Sequence, residues 1–305
     1  RRGAQMPEAP AAPPQVFLNG TFLPRGDARI AVTDRGFRFG DGAFESIRVA
    51  GGAAYALQRH LGRLFASLDQ LHIAAPSHDE LAAAVATTVA ANGVVDGLAR
   101  IFVTRGDDPD GRGFLPGPIG GPSVLVEAVA LPPGAGQERA LRLWLSSHRR
   151  PDPRALPSGG KLMSAVTSSL ARIEADHHGC DDALLLGPHA EVCETSSANL
   201  MWIRDGVLYT ADTALPIVAG TIRERLLELA ELPVRVGTYA LSDVLTAQEV
   251  FATNVVWLAR SVGSLQSDLA GANGTWTSTA HADRLRATLE EDLGAHAAAR
   301  QAAVD

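Results

Sequence analysis

The apolar residues of this chain follow two different periods, and the segments that carry them are mixed along the sequence. Residues 57–73 and 78–91 repeat apolar positions every three or four residues, which is typical of amphipathic helices. Residues 99–104 and 123–131 are short apolar runs bounded by turn residues, which is typical of strands. The strict strand-helix-strand rhythm of a doubly wound sheet is missing. The pattern therefore predicts an α+β fold.

Further elements follow from the same patterns. Asn19-Gly20 predicts a tight hairpin within residues 16–23. The remaining predicted strands are 141–147, 183–186, 199–203, 207–210 and 249–253, and the remaining predicted helices are 162–178, 221–231 and the Ala-rich segment from Asp283 onward.

The length and composition fit one or two hydrophobic cores. The chain has 305 residues, of which 46% are hydrophobic, so it is long enough for two domains. Residues 132–138 are rich in Pro and Gly, and we expect a linker there between an N-terminal α+β domain at 16–131 and a second domain at 139–305. Residues 1–15 are rich in Ala and Pro, and we expect a disordered tail.

The charge of the chain argues against two classes of partner. A formal net charge of −7 gives no electrostatic reason to bind nucleic acid or an anionic membrane surface. No apolar run approaches the roughly 20 residues that span a bilayer, and the first residues lack the apolar block of a secretory signal. Cys180 and Cys193 are the only cysteines, which predicts buried thiols and a cytoplasmic location.

Lys161 is the single lysine among the 27 Lys and Arg residues. Arginine can replace lysine in solvation, salt bridges and phosphate contacts, but a guanidinium is not deprotonated in proteins and does not act as an amine nucleophile. A primary amine that forms an imine is a task that only lysine performs. The solitary lysine therefore predicts an imine-forming role for Lys161.

The surroundings of Lys161 and the later Glu194 fit such chemistry. Lys161 follows Ser158-Gly159-Gly160, whose small residues let a flat ligand approach the backbone. Glu194 begins the segment Glu-Thr-Ser-Ser-Ala-Asn between two predicted strands. If a pyridine ring is attached to Lys161, a carboxylate at the ring nitrogen keeps that nitrogen protonated and strengthens the ring as an electron sink. Taken alone, a glutamate in such a segment is more often a surface or turn carboxylate.

Three segments together predict a phosphate site. Gly220 and Thr221 begin a predicted helix, whose free amides and Thr221 hydroxyl are suited to bind an anion. Arg63 lies on a predicted helix, where it is suited to pair with phosphate or to be solvated. Thr253-Asn254, at a strand end, completes the predicted set.

Together these segments resemble the class IV, fold type IV, pyridoxal-phosphate enzymes. The resemblance covers about residues 15–265. The motifs that carry it are Phe37-Arg-Phe-Gly-Asp-Gly-Ala-Phe-Glu45, His60-Leu-Gly-Arg-Leu64, Lys161, Glu194-x-Ser-x-x-Asn199, Gly220-Thr-Ile-Arg223 and Glu249-Val-Phe-Ala-Thr-Asn254.

The resemblance implies a two-domain fold like that of D-amino-acid aminotransferase, an active site between the domains, and a homodimer. It implies pyridoxal 5′-phosphate as cofactor and no metal. Lys161 matches the Schiff-base lysine in the second domain, and Glu194 matches the partner of the pyridine nitrogen. Arg63 and the amides of Thr221 and Ile222 match phosphate ligands.

Within this family the sequence most resembles aminodeoxychorismate lyase, an enzyme of folate biosynthesis. Val166 replaces the tyrosine of branched-chain aminotransferases, and Thr253-Asn254 resembles the lyase version of that motif. The loop with Arg105 and Arg112 resembles the Arg-Gly and Gly-Arg-Gly loop of lyases. Arg105, Arg112 and Phe44 are therefore the candidate contacts for an amino substrate that bears a carboxylate.

Several alternatives stay open at this point. A D-amino-acid or branched-chain aminotransferase, a secondary-metabolic relative and a degenerate protein that binds the cofactor without catalysis all share the same motifs. Ser158-x-x-Lys161 also matches one element of penicillin-recognising enzymes, but a one-lysine chain lacks their Lys-Thr-Gly element. His177-His178 is a poor metal site because adjacent helical side chains diverge.

Overall fold

The structure is a computed structural model that describes residues 13–111, 113–131, 134–135 and 139–302. One antiparallel sheet contains β1 (Gln15–Leu18), β2 (Thr21–Pro24), β3 (Gly42–Ala50), β4 (Ala53–Ala54), β5 (Gly97–Thr104) and β6 (Ser123–Ala130). Its strand order is β2-β1-β6-β5-β3-β4. The helices of this half are α1 (Arg35–Phe39), α2 (Leu57–Gln70) and α3 (His78–Ala91).

Local sequence explains how this sheet forms. Asn19 and Gly20 have φ values of 48° and 88°, the positive values that a two-residue hairpin turn requires between β1 and β2. Side chains of β3 alternate between buried and partly exposed, so one face of the strand meets the helices. Apolar side chains of the strands and of the helices pack in one core, which includes Ile47, Val49, Leu61, Leu64, Leu68, Leu81 and Val85.

A second sheet contains β7 (Leu141–Arg149), β8 (Asp182–Leu186), β9 (Val192–Thr195), β10 (Asn199–Arg204), β11 (Val207–Ala211), β12 (Val234–Gly237), β13 (Glu249–Asn254), β14 (Leu258–Gln266) and β15 (Gly274–Thr275). Its order is β12-β11-β10-β13-β14-β7-β8-β9, and β9 also pairs with β10, which closes six strands into a ring. The helices of this half are α4 (Val166–His177), α5 (Thr221–Leu229), α6 (Leu241–Leu245) and α7 (Ala280–Ala302).

The C-terminal helix α7 connects the two halves. Leu285, Leu289 and Leu293 of this helix pack in one cluster with Tyr55, which lies just before α2. The Tyr55 hydroxyl also donates a hydrogen bond to Asp292 of the same helix. Burial of apolar side chains against both sheets fixes how the halves meet.

The predicted α+β class is confirmed, and α3 has the predicted bounds. The helix predicted from residue 162 begins only at Val166, because residues 161–163 are extended against β3. The predicted set lacks six of the strands, namely β3, β4, β9, β12, β14 and β15, so Glu194, which was predicted to lie between two strands, lies on β9. The buried thiols are confirmed for Cys180 and Cys193.

The predicted tail and linker fall largely outside the described residues. Residues 1–12 are not described, whereas Gln15, assigned to the tail, begins β1 and donates its N–H to Asn92. Within 132–138 only 134–135 are described, and the domain boundary there stays a prediction between the last strand of one sheet and the first of the other. No helix in the described part of the chain has the length and apolar character to cross a membrane.

Candidate active site

Lys161 lies in an extended segment that bridges the two halves of the molecule. Its carbonyl accepts a hydrogen bond of 2.9 Å from the N–H of Phe44 on β3. Two residues earlier, Gly159 donates its N–H to the carbonyl of Ile217 at 2.9 Å and accepts from the N–H of Ala219 at 3.0 Å. Gly159 has φ of 80°, which a residue without a side chain adopts at no steric cost. Backbone contacts to both halves therefore position the lysine.

The amine of Lys161 has the properties of a nucleophile. Its nitrogen lies 4.1 Å from the centre of the Phe44 ring. Burial lowers the pKa of this amine to about 8, and the positive charge of Arg63 acts in the same direction. An uncharged amine is the form that attacks a carbonyl, and this pKa makes that form accessible near neutral pH.

Glu194 lies near the end of β9 and faces Asn199 at the start of β10. Its Oε2 accepts hydrogen bonds from the side-chain amide of Asn199 and the N–H of Val218, both at 3.0 Å. The guanidinium of Arg150 lies 3.3 Å from Oε1. Burial raises the pKa of Glu194 to about 7, although Arg150 opposes this shift. This carboxyl group therefore exchanges a proton close to neutral pH.

Arg150 is a residue that the sequence patterns did not single out. It directly follows β7, and its Nε donates to the carbonyl of Pro216 at 2.7 Å while it lies beside Glu194. An arginine after a strand has no distinctive local pattern. Only the fold brings it to a carboxylate that is remote in sequence.

Arg63 forms a buried ion pair with Glu45, the last residue of the first family-like motif. Its Nε and Nη2 donate to the two carboxylate oxygens at 2.8 and 2.7 Å, and its Nη1 donates to the carbonyl of Ala219 at 2.6 Å. His60 Nδ1 contacts the same carboxylate at 2.7 Å. Burial opposes ionisation of Glu45, but the charge of Arg63 and these hydrogen bonds lower its pKa to about 2.

Helix α5 begins at the site with Thr221, directly after Gly220. A Cβ atom on Gly220 would overlap Oδ1 of Asn199, so a larger residue does not fit. Thr221 Oγ1 lies 3.2 Å from His60 Nε2. Burial lowers the pKa of His60, and its Nδ1 hydrogen points to the ionised Glu45, so Nε2 accepts and Thr221 donates. The Thr221 hydroxyl is therefore committed to His60, contrary to the prediction that it donates to an anion.

Thr253 and Asn254, at the end of β13, differ in their partners. The Thr253 hydroxyl is buried and has no hydrogen-bond partner among the described residues. Asn254 Oδ1 accepts from the N–H groups of Val256 and Trp257 at 2.9 and 3.1 Å, so this side chain caps the turn that follows β13. Thr253 offers a free hydroxyl, whereas Asn254 shapes the backbone.

These groups line one cavity of about 320 Å³, a size that accommodates a small ligand. Both halves of the molecule contribute to its wall. Its polar and charged lining includes Ser46, Arg63, Arg100, Arg150, Lys161, Glu194, Asn199, Thr221 and Thr253, and its apolar lining includes Phe44, Leu98, Leu156, Pro157 and Val256.

Comparison with known proteins agrees with this geometry. Residues 42–265 match the family described as Amino-transferase class IV. The chain belongs to the class IV aminotransferase family. A putative branched-chain-amino-acid aminotransferase of Methanocaldococcus jannaschii is 32% identical over 243 residues, which are 78% of this chain and 83% of the relative. An aminodeoxychorismate lyase of Vibrio harveyi is 32% identical over 244 residues, 78% of this chain and 86% of the relative.

Solved class IV structures share the fold. The T.th. branched-chain amino acid aminotransferase with pyridoxamine 5′-phosphate has a TM-score of 0.81 and 26% identity, and the match covers 92% of this chain and 94% of that chain. The 4-amino-4-deoxychorismate lyase from Pseudomonas aeruginosa has a TM-score of 0.76 and 28% identity, with 91% and 99% covered. The two-domain α+β fold of class IV enzymes is thereby established for this chain.

The class IV family also gives the cofactor, pyridoxal 5′-phosphate, and this chain is a pyridoxal-phosphate-dependent enzyme. The cavity fits that group. The amine of Lys161 is suited to an aldehyde, and the buried hydroxyl of Thr253, which has no partner in the described part of the chain, is suited to donate to a phosphate oxygen. Gly220 keeps the start of α5 free of a side chain.

Three residues that the sequence patterns singled out are not among the described residues that line the cavity. Arg105 pairs with Asp41 at 2.7 Å and donates to the carbonyl of Leu71 at 2.7 Å, so the structure places it in an ion-pair network instead of the cavity lining. Arg112 lies outside the described residues. Val166 is 67% exposed and does not line the cavity. The presence of valine instead of tyrosine at this position therefore gives no information about contacts with the cofactor.

Proposed function

We propose that this class IV enzyme is a 4-amino-4-deoxychorismate lyase. The reaction breaks the bond between the ring carbon and the enolpyruvyl oxygen, releases pyruvate and leaves aromatic 4-aminobenzoate. The proton removed from the ring balances the proton that the leaving enolpyruvate gains, so no second substrate is needed. The similarity to the Vibrio harveyi lyase supports this proposal. A role in folate biosynthesis and a cytoplasmic location belong to the same proposal.

The observation that carries the proposal is Arg100 on the cavity wall. It lies on β5, opposite Ser46 of β3, and both line the cavity. Its side chain is 39% exposed and contacts Glu127 at 3.1 Å, whereas Arg63 and Arg150 are held by buried contacts. Aminodeoxychorismate carries two carboxylates, and an accessible guanidinium is suited to bind one of them bidentately.

Lys161 is assigned as the residue that carries the cofactor and then accepts the substrate proton. When bound, pyridoxal phosphate withdraws electrons from the carbon that bears the amino group. The amine of Lys161, with a pKa of about 8, is suited to accept the proton from that carbon. Glu194 is assigned to hold a proton at the ring nitrogen, and Phe44 covers the amine from the side of β3.

The phosphate is assigned to the opposite end of the cavity. The N–H groups at the start of α5 and the positive end of its dipole attract an anion there. Arg63 supplies charge, and Asn254 fixes the turn beside the site. The assigned phosphate ligands are Arg63, Gly220, Thr221 and Ile222 through their N–H groups, and Thr253 through its hydroxyl.

A class IV aminotransferase for branched-chain or D-amino acids is the second candidate. Phe44, Leu98 and Leu156 give the cavity an apolar wall, which suits an aliphatic side chain as well as a carbon ring. A D-alanine aminotransferase of Listeria innocua is 30% identical over 244 residues, 79% of this chain and 83% of the relative.

A substrate panel separates the two candidates. We expect purified enzyme with aminodeoxychorismate to form 4-aminobenzoate and pyruvate in equal amounts. Parallel reactions contain D-alanine or L-leucine with 2-oxoglutarate, and the amino products are measured. Amino transfer without any 4-aminobenzoate would overturn the lyase proposal.

A matched pair of variants tests the role of Arg100. Arg100→Gln removes the accessible guanidinium, and we expect KM for aminodeoxychorismate to rise roughly tenfold or more, the loss of one charge-assisted contact. Arg25→Gln is the control, because Arg25 also lies near Glu127, at 3.8 Å, but does not line the cavity. An equal KM in both variants would show that Arg100 does not bind the substrate.

We propose that the chain forms the homodimer implied by the family, because apolar side chains on α4 and α1 are exposed. Val166, Leu170 and Ile173 lie along one face of α4 and are 67%, 44% and 51% exposed. Phe37 on α1 is 74% exposed. Such side chains are typical of a protein interface. Light scattering of the wild type and of Ile173→Asp tests this, with a dimer expected for the wild type and a weaker one for the variant.

A further inference from the structure

Asp182 is a buried carboxylate directly behind the wall of the cavity. It begins β8 and is fully buried. Its Oδ2 accepts from the hydroxyls of Thr195 and Ser197 at 2.8 and 2.7 Å, and its Oδ1 accepts from the hydroxyl of Ser196. The guanidinium of Arg172 is 3.7 Å away on a half-exposed side chain. Three hydroxyls of one turn and the N–H of Ala183, at 2.8 Å, therefore donate hydrogen bonds to this carboxylate, as a buried charge requires.

The turn that Asp182 holds joins two residues of the site. Glu194 precedes it and Asn199 follows it, and the Asn199 amide donates to the Glu194 carboxylate at 3.0 Å. Inside the turn, Thr195 Oγ1 accepts the N–H of Ala198 at 2.9 Å while it donates to Asp182. The turn that joins Glu194 and Asn199 is therefore held by a carboxylate that is hydrogen-bonded to neither of them.

The same contacts set the polarity of the cavity wall. Ser196 and Ser197 line the cavity, and each hydroxyl has a single hydrogen, which it donates to Asp182. Both hydroxyls therefore present only lone pairs to a ligand. A substrate carboxylate is disfavoured at this wall and favoured near Arg100, which lines the same cavity.

We propose that Asp182 is a positioning residue of the active site. It holds the turn between Glu194 and Asn199, and it keeps the hydroxyl hydrogens of Ser196 and Ser197 away from the cavity, which excludes carboxylates from that wall. The proposal depends on the proposed function in one respect only: it takes this cavity as the site that binds the substrate.

Asp182→Asn tests the effect on polarity. The amide replaces one acceptor oxygen with a donor, so at least one serine hydroxyl turns and donates into the cavity. We expect the holoenzyme variant to bind succinate roughly tenfold more tightly, the gain of one hydrogen bond to a charged group. Succinate has no amine and does not react, and its binding is followed by the absorbance of the bound cofactor.

Asp181→Asn is the matched control. It removes the same charge one residue earlier, where Asp181 pairs with Arg139 and Arg142 away from the cavity. We expect its succinate affinity to equal that of the wild type. No gain in Asp182→Asn, or the same gain in Asp181→Asn, would overturn the proposal.

Ser197→Ala gives a second readout that does not depend on how Asp182→Asn folds. We expect this variant to bind succinate at least as tightly as the wild type, because the hydroxyl offers only lone pairs. Weaker binding would mean that the hydroxyl donates to the ligand, and the proposal would fail. Neither readout uses turnover, so a negative lyase assay leaves this test intact.

Discussion

Two buried glutamates from opposite halves of the molecule each have an arginine beside them, and both arginines line the cavity. Glu45 receives two hydrogen bonds from Arg63, at 2.8 and 2.7 Å, and a third from His60, and its pKa is lowered to about 2. Glu194 lies 3.3 Å from Arg150, whose Nε donates to a backbone carbonyl instead, and its pKa is raised to about 7.

Burial alone does not explain this difference. Glu45 is 0% exposed and Glu194 is 4% exposed, and both have a guanidinium within hydrogen-bond or ion-pair distance. The number and direction of charge-assisted hydrogen bonds decide whether burial or the cation dominates. Glu45 therefore acts as a fixed anion that orients Arg63, whereas Glu194 is able to exchange a proton during a reaction.

The largest expected effect concerns Lys161, whose amine interacts electrostatically with both carboxyl groups. Lys161→Ala removes the amine, and we expect turnover to fall at least about 10³-fold. Lys161→Arg keeps the positive charge but cannot form an imine, so we expect the same loss. Turnover with saturating cofactor measures both. Appreciable activity in Lys161→Arg would show that a positive charge at this position is sufficient and that covalent attachment of the cofactor is not required.

The next effect compares the two arginines. Arg63→Ala leaves Glu45 as a buried ion with no guanidinium, and we expect the free energy of unfolding to fall by about 3–5 kcal/mol. Arg150→Ala leaves Glu194 free to take up a proton, and we expect a loss of about 1 kcal/mol. Urea denaturation of the cofactor-free proteins at pH 7 measures both. Equal losses would contradict the distinction between the two networks.

The pH dependence of stability should have opposite signs for the two glutamates. The folded pKa of Glu45 is lowered, so its contribution is present above the ordinary value of 4.5 and is lost as the pH falls toward 2. The folded pKa of Glu194 is raised, so its contribution is present below 4.5 and is lost as the pH rises toward 7, by roughly 3 kcal/mol in all.

Two amide variants separate these contributions in cofactor-free protein. Glu194→Gln should flatten the decline in the free energy of unfolding between pH 4.5 and 7, whereas Glu45→Gln should leave that decline in place and change the profile below pH 4.5. Urea denaturation across this range measures both profiles. A wild-type stability that does not change over the upper range would rule out the raised pKa of Glu194.

The smallest effect concerns Thr253, a buried polar group that lacks a partner among the described residues. Thr253→Val removes an unsatisfied hydroxyl, so we expect the cofactor-free protein to gain about 1 kcal/mol of unfolding free energy. Cofactor affinity should fall roughly tenfold if the proposed hydrogen bond from Thr253 to a phosphate oxygen is lost. Thermal denaturation and cofactor titration give the two numbers. A loss of stability without a change in affinity would mean that Thr253 serves only the fold.

The sequence by itself determined the α+β class, and it predicted an imine-forming role for Lys161. Hydrophobic periods are local, so the bounds of α3 could be predicted from a short window. The role of a solitary primary amine follows from its covalent chemistry, which no neighbour has to supply. Family-like motifs then indicated Glu194 and Arg63 as well.

Only the tertiary structure decided which charges meet. It paired Arg63 with Glu45, brought Arg150 to Glu194, placed Arg100 in the cavity wall and held Arg105 away from it. The contact between Asp182 and the turn that joins Glu194 to Asn199 also depends on the tertiary structure. Ion pairs and pKa shifts depend on distances between residues far apart in the chain, and on the water that the fold excludes around them, neither of which a local pattern contains.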